Sequence, residues 1–163
     1  MTSMAATLTM HAEPGGLTIA ITREFDAPPA LVYRACTDPD AAPRWWGPAK
    51  YETVVDEMDV RVGGRWRFRQ SDDEGNVFVF SGEYRELVPG ERVVQTFEFD
   101  GAPGEVSVET MTLEERDGRT LMRVVSEYSS VEARDGMMES GMEDGMRETY
   151  DRLDALLAAM EVA

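Results

Sequence analysis

The feature that most constrains the fold is a run of six alternating segments between residues 52 and 128. In each segment apolar and polar residues alternate with the period of a half-buried β-strand. Short sequences rich in glycine, proline and aspartate separate the segments, which predicts antiparallel hairpins. The predicted strands are Glu52–Glu57, Gly64–Gln70, Val77–Leu87, Arg92–Phe99, Val106–Glu114 and Thr120–Tyr128.

Sequences with helical patterns precede and follow this run of predicted strands. A first strand is predicted at Leu17–Phe25, and two short helices follow it in the sequences PPALVYRACTD and DPDAAPRWW, the second capped by Asp38. The stretch from Arg134 to Met160 predicts one long helix, because apolar residues recur every three or four positions along it. These apolar residues are Met138, Met142, Met146, Tyr150, Leu153 and Leu157.

This order of elements predicts an α+β fold in which a curved antiparallel sheet of six to seven strands wraps round the C-terminal helix. A sheet of this size needs cover on one face, and only that helix is long enough to supply it. A cavity opens wherever the curved sheet stands away from the helix, and the two short helices would close one end of it. Residues 17–163 are predicted to form this single domain, and residues 1–16 a flexible leader.

Charge and composition exclude several classes of function. The formal charge is −16 and the pI is near 4.4, so nucleic acid and anionic membrane surfaces would be repelled. No apolar run approaches the roughly 18 residues of a membrane helix, so membrane insertion is not predicted. The lone Cys36 allows no internal disulfide and fits the cytoplasm.

The sequence contains no recognisable catalytic or cofactor motif. The one histidine, His11, lies in the predicted leader, so neither a Ser-His-Asp set nor a metal site can be built from the predicted domain. Phosphate-binding glycine motifs are also missing. No cofactor or metal is therefore predicted, and binding is favoured over catalysis.

Aromatic residues supply most candidate cavity contacts. In PRWWGP we assign Trp45 to structural packing and Trp46 to the cavity, because adjacent helical side chains diverge by about 100°. In GGRWRFRQ, Trp66 and Phe68 share one strand face, predicted to be the inner one. The opposite row is Arg65, Arg67 and Arg69. Two interpretations of this row remain, ion pairing with carboxylates such as Glu52 and Asp56 or an anion site.

The next strands extend the predicted cavity wall. Phe78, Phe80 and Tyr84 share a face with Gly82, which leaves room either for Trp66 or another ring, or for a ligand. In EVSVETMTLEE the alternation leaves two faces open. If Glu109, Met111 and Leu113 face inward, Glu109 is a carboxyl in an apolar cavity with a raised pKa; otherwise it is a solvated charge. The bulk of Met111 and Leu113 favours the inward placement.

The start of the C-terminal helix carries an adaptable thioether row of Met138, Met142 and Met146. Gly141 and Gly145 weaken the same segment by about 1 kcal/mol each. We expect this segment to act as a ligand gate, with close packing of the glycines against the sheet as the alternative.

Five sequence blocks also resemble a known family: RWWGP, MDVRVGGRWRF, SGEYRELVPGERVV, TLEERDGRT and ESGMEDGMRETYDRLDALL. From Leu17 to Met160 the chain resembles bacterial relatives of the C-terminal domain of the heat-shock-protein-90 ATPase activator. These belong to the helix-grip (SRPBCC) superfamily with START domains, polyketide cyclases and birch-pollen-type allergens. The resemblance implies a helix-grip fold, on which carriers, enzymes and co-chaperones all occur. The residues before Leu17 are too few for the activator's N-terminal chaperone-binding domain, so a chaperone partner is not predicted.

Taken together, these features predict a binding or carrier module for a small hydrophobic ligand of lipid, aromatic or polyketide-like type. One alternative is an enzyme of cyclase or dehydratase type in which Glu109, Tyr84 or Tyr128 handles protons. Another is a chaperone-associated stress-response module that acts through its surface. The sequence leaves a homodimer open. The predicted ligand-binding residues are Trp46, Trp66, Phe68, Phe78, Phe80, Tyr84, Glu109, Met111, Met138, Met142 and Met146.

Overall fold

The computed structural model describes residues 8–162, which form an eight-stranded antiparallel sheet and four helices. The strands are β1 Thr9–His11, β2 Thr18–Phe25, β3 Glu52–Met58, β4 Arg65–Ser71, β5 Val77–Val88, β6 Arg92–Phe99, β7 Val106–Arg116 and β8 Arg119–Glu127. The helices are α1 Pro29–Thr37, α2 Ala42–Trp45, α3 Val131–Glu139 and α4 Met142–Val162. The order of strands across the sheet is β1-β2-β8-β7-β6-β5-β4-β3. This arrangement confirms the predicted α+β helix-grip fold.

The sheet has one strand more than the six to seven predicted, because part of the expected leader pairs with it. Thr9–His11 forms β1 and runs antiparallel to residues 20–22 of β2. Leu8, just before β1, is buried in the core. Three residues are too few to show a period-two pattern, so this strand cannot be predicted from its own sequence. The part of the predicted leader in residues 1–7 lies outside the described residues.

The predicted single helix from Arg134 to Met160 is wrong, because the structure divides it into α3 and α4. The α3 helix begins earlier, at Val131, where the Ser130 hydroxyl accepts a hydrogen bond from the backbone N–H of Ala133 at 3.0 Å. It ends before Gly141, whose φ of +83° lies in the left-handed region. That conformation favours glycine and interrupts the helix, so the apolar faces of α3 and α4 no longer follow one continuous phase.

The second short helix is also shorter than predicted and is not capped by Asp38. The α2 helix covers only Ala42–Trp45, while the Asp38 side chain accepts a hydrogen bond from the backbone N–H of Asp40 at 2.8 Å in the preceding turn. Arg152 of α4 donates hydrogen bonds to the backbone oxygens of Arg44, at 2.9 Å, and Gly47. These bonds fix the end of α2 against α4.

Two groups of buried side chains hold the layers together. One lies between β2, β7, β8 and the helices α1 and α4, and contains Phe25, Val32, Met122, Leu153 and Leu157. The other lies on the inner face of β4 to β6 and contains Ala42, Trp66, Phe68, Tyr84 and Val93. The inner face of the sheet is therefore covered at one end by α4 and at the other largely by its own aromatic rings.

The arginine row of β4 lies on the outer face and pairs with a carboxylate, as the first of the two interpretations predicted. Arg69 donates to both carboxylate oxygens of Asp56, at 3.1 and 3.3 Å, and Arg67 lies 3.6 Å from the same side chain. A β-bulge between Val55 and Glu57 places Asp56 at this position. Exposed pairs of this kind contribute about 0–1 kcal/mol, so the row is a solvated face of the sheet.

Candidate functional site

A cavity of about 310 Å³ lies between the inner face of the sheet and the helices. Side chains from β4 to β8 form its floor, and residues of α1, α2, α3 and α4 form its roof. Its walls differ in chemistry: one is built almost entirely of aromatic rings, and the other carries a carboxyl, an amide and hydroxyl groups.

Trp46 forms the centre of the aromatic wall. Its ring meets those of Phe68 and Phe80 edge to face, with centroids 5.1 and 5.0 Å apart. Trp66 lies behind them, 6.4 Å from Trp46, and Phe97 packs 5.6 Å from Phe80. Edge-to-face pairs at these distances are the favourable geometry for aromatic rings, so the rings of this wall stabilise one another.

The two adjacent tryptophans lie in different surroundings. The Trp45 indole is buried, donates its N–H to the backbone oxygen of Ala35 at 2.9 Å and stacks on Tyr150 at 6.5 Å. It therefore joins α1, α2 and α4, and it also lines the cavity. Trp46, at the helix end, is half-buried and belongs to the aromatic wall.

Gly82 explains how Trp66 fits behind this wall. A Cβ atom at position 82 would overlap the backbone oxygen of Thr96 and would lie 2.5 Å from Nε1 of Trp66. The sequence left two interpretations of Gly82, namely room for Trp66 or another ring, or room for a ligand. The structure supports the first, because the missing side chain makes room for the Trp66 ring. The space therefore belongs to the protein's own core.

Glu109 is the carboxyl of the polar wall. It lies between its direct cross-strand neighbours, Gln95 on β6 and Ser126 on β8. Gln95 Nε2 donates to one carboxylate oxygen at 3.2 Å, and the Ser126 hydroxyl lies 3.5 Å from the other. Met111 also lines the cavity and Leu113 is buried, so the row that contains Glu109 is the inner one, as predicted.

Burial alters the acid–base properties of the groups around the cavity. It raises the pKa of Glu109, and the hydrogen bonds from Gln95 and Ser126 oppose this only in part. Burial, with the Glu109 charge as a smaller cause, raises the pKa of Tyr128 to about 12. Burial also raises the pKa of the Cys36 thiol to about 12. At neutral pH the phenol and the thiol are therefore protonated, and Cys36 is a poor nucleophile.

The structure brings nine of the eleven predicted site residues together around the cavity and leaves two outside it. Phe78 lies near the start of β5, where it packs against Tyr51 at 5.7 Å and Phe99 at 6.1 Å. Met138 is 36% exposed on the outer side of α3. The nine lining residues are Trp46, Trp66, Phe68, Phe80, Tyr84, Glu109, Met111, Met142 and Met146.

The interruption at Gly141 accounts for the misplaced methionine. The predicted row assumed one continuous helix, but α3 turns Met137 toward the cavity in place of Met138. Gln95 also lines the cavity, although it is not among the predicted site residues. A signal for it was available, because a hairpin register that pairs β6 with β7 would have placed Gln95 beside Glu109.

Two further properties concern only the part of the chain that the structure describes. In residues 8–162, no three histidine, cysteine, aspartate or glutamate side chains are grouped so that they could hold a metal ion. None of the helices in this part is long and apolar enough to cross a membrane.

Comparison with known proteins places this geometry in a family. No curated protein matches the sequence. Protein CV1439 from Chromobacterium violaceum is 33% identical with a TM-score of 0.78, over 89% of this chain and 98% of its own. A protein from Rhodobacter sphaeroides is 25% identical with a TM-score of 0.86, over 94% and 99% of the two chains.

DynU16, from the dynemicin biosynthetic locus, shares the fold at 20% identity and a TM-score of 0.67, over 86% of this chain and 47% of its own. The family model described as "Activator of Hsp90 ATPase homolog 1-like protein" matches residues 26–158, which include both walls of the cavity. The match covers well over half of the sequence, and the chain therefore belongs to the family of Activator of Hsp90 ATPase homolog 1-like proteins.

Proposed function

We propose that this protein binds a small, largely apolar molecule in the cavity between the sheet and the helices. The observation that carries the proposal is the pairing of two walls: the rings of Trp46, Phe68 and Phe80 lie in the same cavity as the Glu109 carboxyl. Small-molecule sites commonly combine an apolar lining with a few polar groups that fix orientation. The resemblance to the helix-grip superfamily, which contains START domains and polyketide cyclases, supports the same proposal.

The cavity size favours a compact ligand over a long acyl chain. A volume of about 310 Å³ lies at the lower end of the range of roughly 300–1,000 Å³ for small-molecule pockets. Aromatic or polyketide-like molecules with one or two rings fit this limit better than diacyl lipids.

The single described cysteine, Cys36, is free, which supports the proposal that the protein acts in the cytoplasm.

Thermal shift and native mass spectrometry test the proposal with three probes: naphthol, indole and decanoate. We expect naphthol and indole to raise the melting temperature and decanoate to have little effect. Replacing Met142, a lining residue, by tryptophan is expected to fill the cavity and weaken naphthol binding by about tenfold or more. Met138→Trp is the matched control, because Met138 lies outside the cavity.

The proposal is wrong if none of the probes raises the melting temperature of the wild-type protein. It also fails if Met138→Trp weakens naphthol binding as much as Met142→Trp does, since the effect would then not come from the cavity. The same mass spectra report whether the protein is a homodimer, which the sequence leaves open.

A second candidate function is an enzyme of the cyclase or dehydratase type. The observation that favours it is the Glu109 carboxyl, whose raised pKa lets it hold a proton within reach of the Ser126 hydroxyl at 3.5 Å. Such an enzyme would convert a polyketide-like substrate, and Glu109→Gln would abolish turnover in a protein that still folds. Turnover that survives Glu109→Gln would remove this candidate.

A further inference from the structure

The Glu109 carboxyl has no cationic partner within the part of the chain that the structure describes. Its described contacts are hydrogen bonds from Gln95 and Ser126, both of them neutral groups. The described residues that line the cavity include no lysine, arginine or histidine. A carboxyl in this position either stays protonated or receives its counter-charge from a molecule that enters the cavity.

The other titratable groups near Glu109 do not supply that charge. Tyr84 on β5, Tyr128 after β8 and Tyr150 on α4 are phenols, and Cys36 on α1 is a thiol. Burial keeps all four groups in their neutral forms at physiological pH. The side chains around Glu109 therefore present either a negative charge or no charge to a ligand, and never a positive charge.

Arg23 on β2 lies near this region, and its charge partly opposes the rise in the pKa of Tyr150 on α4. Its guanidinium, however, lies 3.3 Å from Asp151 and 3.8 Å from Asp154, two carboxylates of α4. It also lies over the ring of Phe25, 5.0 Å from the ring centre. Arg23 is thus engaged between β2 and α4 and does not line the cavity.

From these observations we propose that the ligand is a compact protonated amine, with its ammonium group at Glu109 and its ring or apolar body on the aromatic wall. This inference rests on the proposed function and names the class of ligand. Charge-assisted hydrogen bonds between an ammonium and a carboxylate are stronger than neutral ones. The ammonium would donate hydrogen bonds to the carboxylate lone pairs of Glu109 that Gln95 and Ser126 leave free.

The overall charge of the protein also favours a cation over an anion. The net charge of −16 gives the protein a negative potential, which concentrates cationic ligands near the cavity mouth and repels carboxylates.

In the competing arrangement, a neutral ligand accepts a hydrogen bond from the protonated Glu109 carboxyl. The two arrangements differ in how the affinity depends on pH. An ammonium ligand needs ionised Glu109, so its affinity rises as the pH increases through the raised pKa of this group. Aliphatic amines stay protonated up to about pH 10, so they do not cancel this rise. A neutral acceptor would instead bind more weakly as the pH increases.

Isothermal titration calorimetry with tryptamine and tryptophol tests the proposal, because the two probes share an indole ring and differ in an ammonium or a hydroxyl group. For the wild-type protein we expect tryptamine to bind about tenfold more tightly than tryptophol. We also expect its affinity to rise as the pH increases from the ordinary pKa of glutamate, about 4.3, through the raised pKa of Glu109. Glu109→Gln is expected to reduce the ratio of the two affinities to about one.

Glu115→Gln is the matched control, since Glu115 is an exposed carboxylate on the same strand and its replacement changes the net charge equally. It should leave the tenfold ratio unchanged. Equal affinities of the wild-type protein for both probes, or tighter tryptophol binding that weakens as the pH rises, would overturn the amine proposal. The proposed function would survive that result, and it fails separately if neither probe binds.

Discussion

Replacing Gly145 by alanine tests whether the start of α4 is weakened by its glycine or depends on it for close packing. Gly145 lies in the first turns of α4 and lines the cavity. An added Cβ would meet only Cγ of Pro48, at 3.9 Å, which is an ordinary van der Waals contact. The geometry therefore offers no clash, so the close-packing interpretation has no support at this position.

The expected effect is an increase of up to about 1 kcal/mol in the free energy of unfolding, because alanine has the higher helix propensity. Amide hydrogen exchange at the start of α4 should slow by up to about fivefold. Urea unfolding measures the first quantity, and exchange followed by mass spectrometry over residues 142–150 measures the second. If α4 opens to admit the ligand, dissociation of tryptophol should slow as well.

Two other glycines provide matched comparisons. Gly136 lies within α3 with no atom within 4 Å of its added Cβ, so Gly136→Ala should stabilise the protein similarly without slowing tryptophol dissociation. Gly141 has a φ of +83°, so Gly141→Ala should instead destabilise the protein by about 1–2 kcal/mol. The reasoning is refuted if Gly145→Ala lowers the free energy of unfolding and leaves exchange at the start of α4 no slower.

Two further substitutions and one chemical reaction test the properties of residues around the cavity. Gly82→Ala should lower the free energy of unfolding by about 1–3 kcal/mol in urea, because its Cβ would overlap Thr96 and crowd Trp66; an unchanged midpoint would contradict this. Burial raises the pKa of Glu109, so the folded state loses stability as the pH rises through that pKa. Glu109→Gln should therefore gain stability relative to the wild type as the pH rises above the ordinary pKa of glutamate, about 4.3, and urea unfolding that shows no such gain would contradict the raised pKa. Cys36, with its pKa near 12, should react with Ellman's reagent at neutral pH roughly a hundredfold more slowly than free cysteine, and comparable rates would show an accessible thiolate.

The parts of the fold that the sequence predicted are those governed by local chemistry. The alternation in residues 52–128 located six strands to within a few residues, because one face of each strand is more buried than the other. The sequence RDGR predicted the β7–β8 hairpin, and Asp117 and Gly118 indeed have the positive φ values, 53° and 79°, of a tight two-residue turn.

The errors lie where a non-local contact or one backbone angle decides the structure. Thr9–His11 becomes a strand only because β2 offers it a free edge, which three residues of sequence cannot reveal. At Gly141 the helical periodicity continues in the sequence, but a left-handed conformation interrupts the helix and changes which methionine faces the cavity. The aromatic wall was predictable from strand alternation, whereas the polar wall required the register that joins Gln95, Glu109 and Ser126.

The position of β2 between β1 and β8 has a consequence for synthesis on the ribosome. Glu24 of β2 contacts Arg119 of β8 across 95 positions of sequence, so β2 leaves the ribosome long before its main partner exists. At a translation rate of about 5–20 residues per second, this delay is roughly 5 to 20 s. During that time Thr9–His11 is the one neighbouring strand available to β2 in the described part of the chain. The nascent protein therefore exposes an apolar strand of the kind that holding chaperones bind. This exposure does not depend on the function of the folded protein.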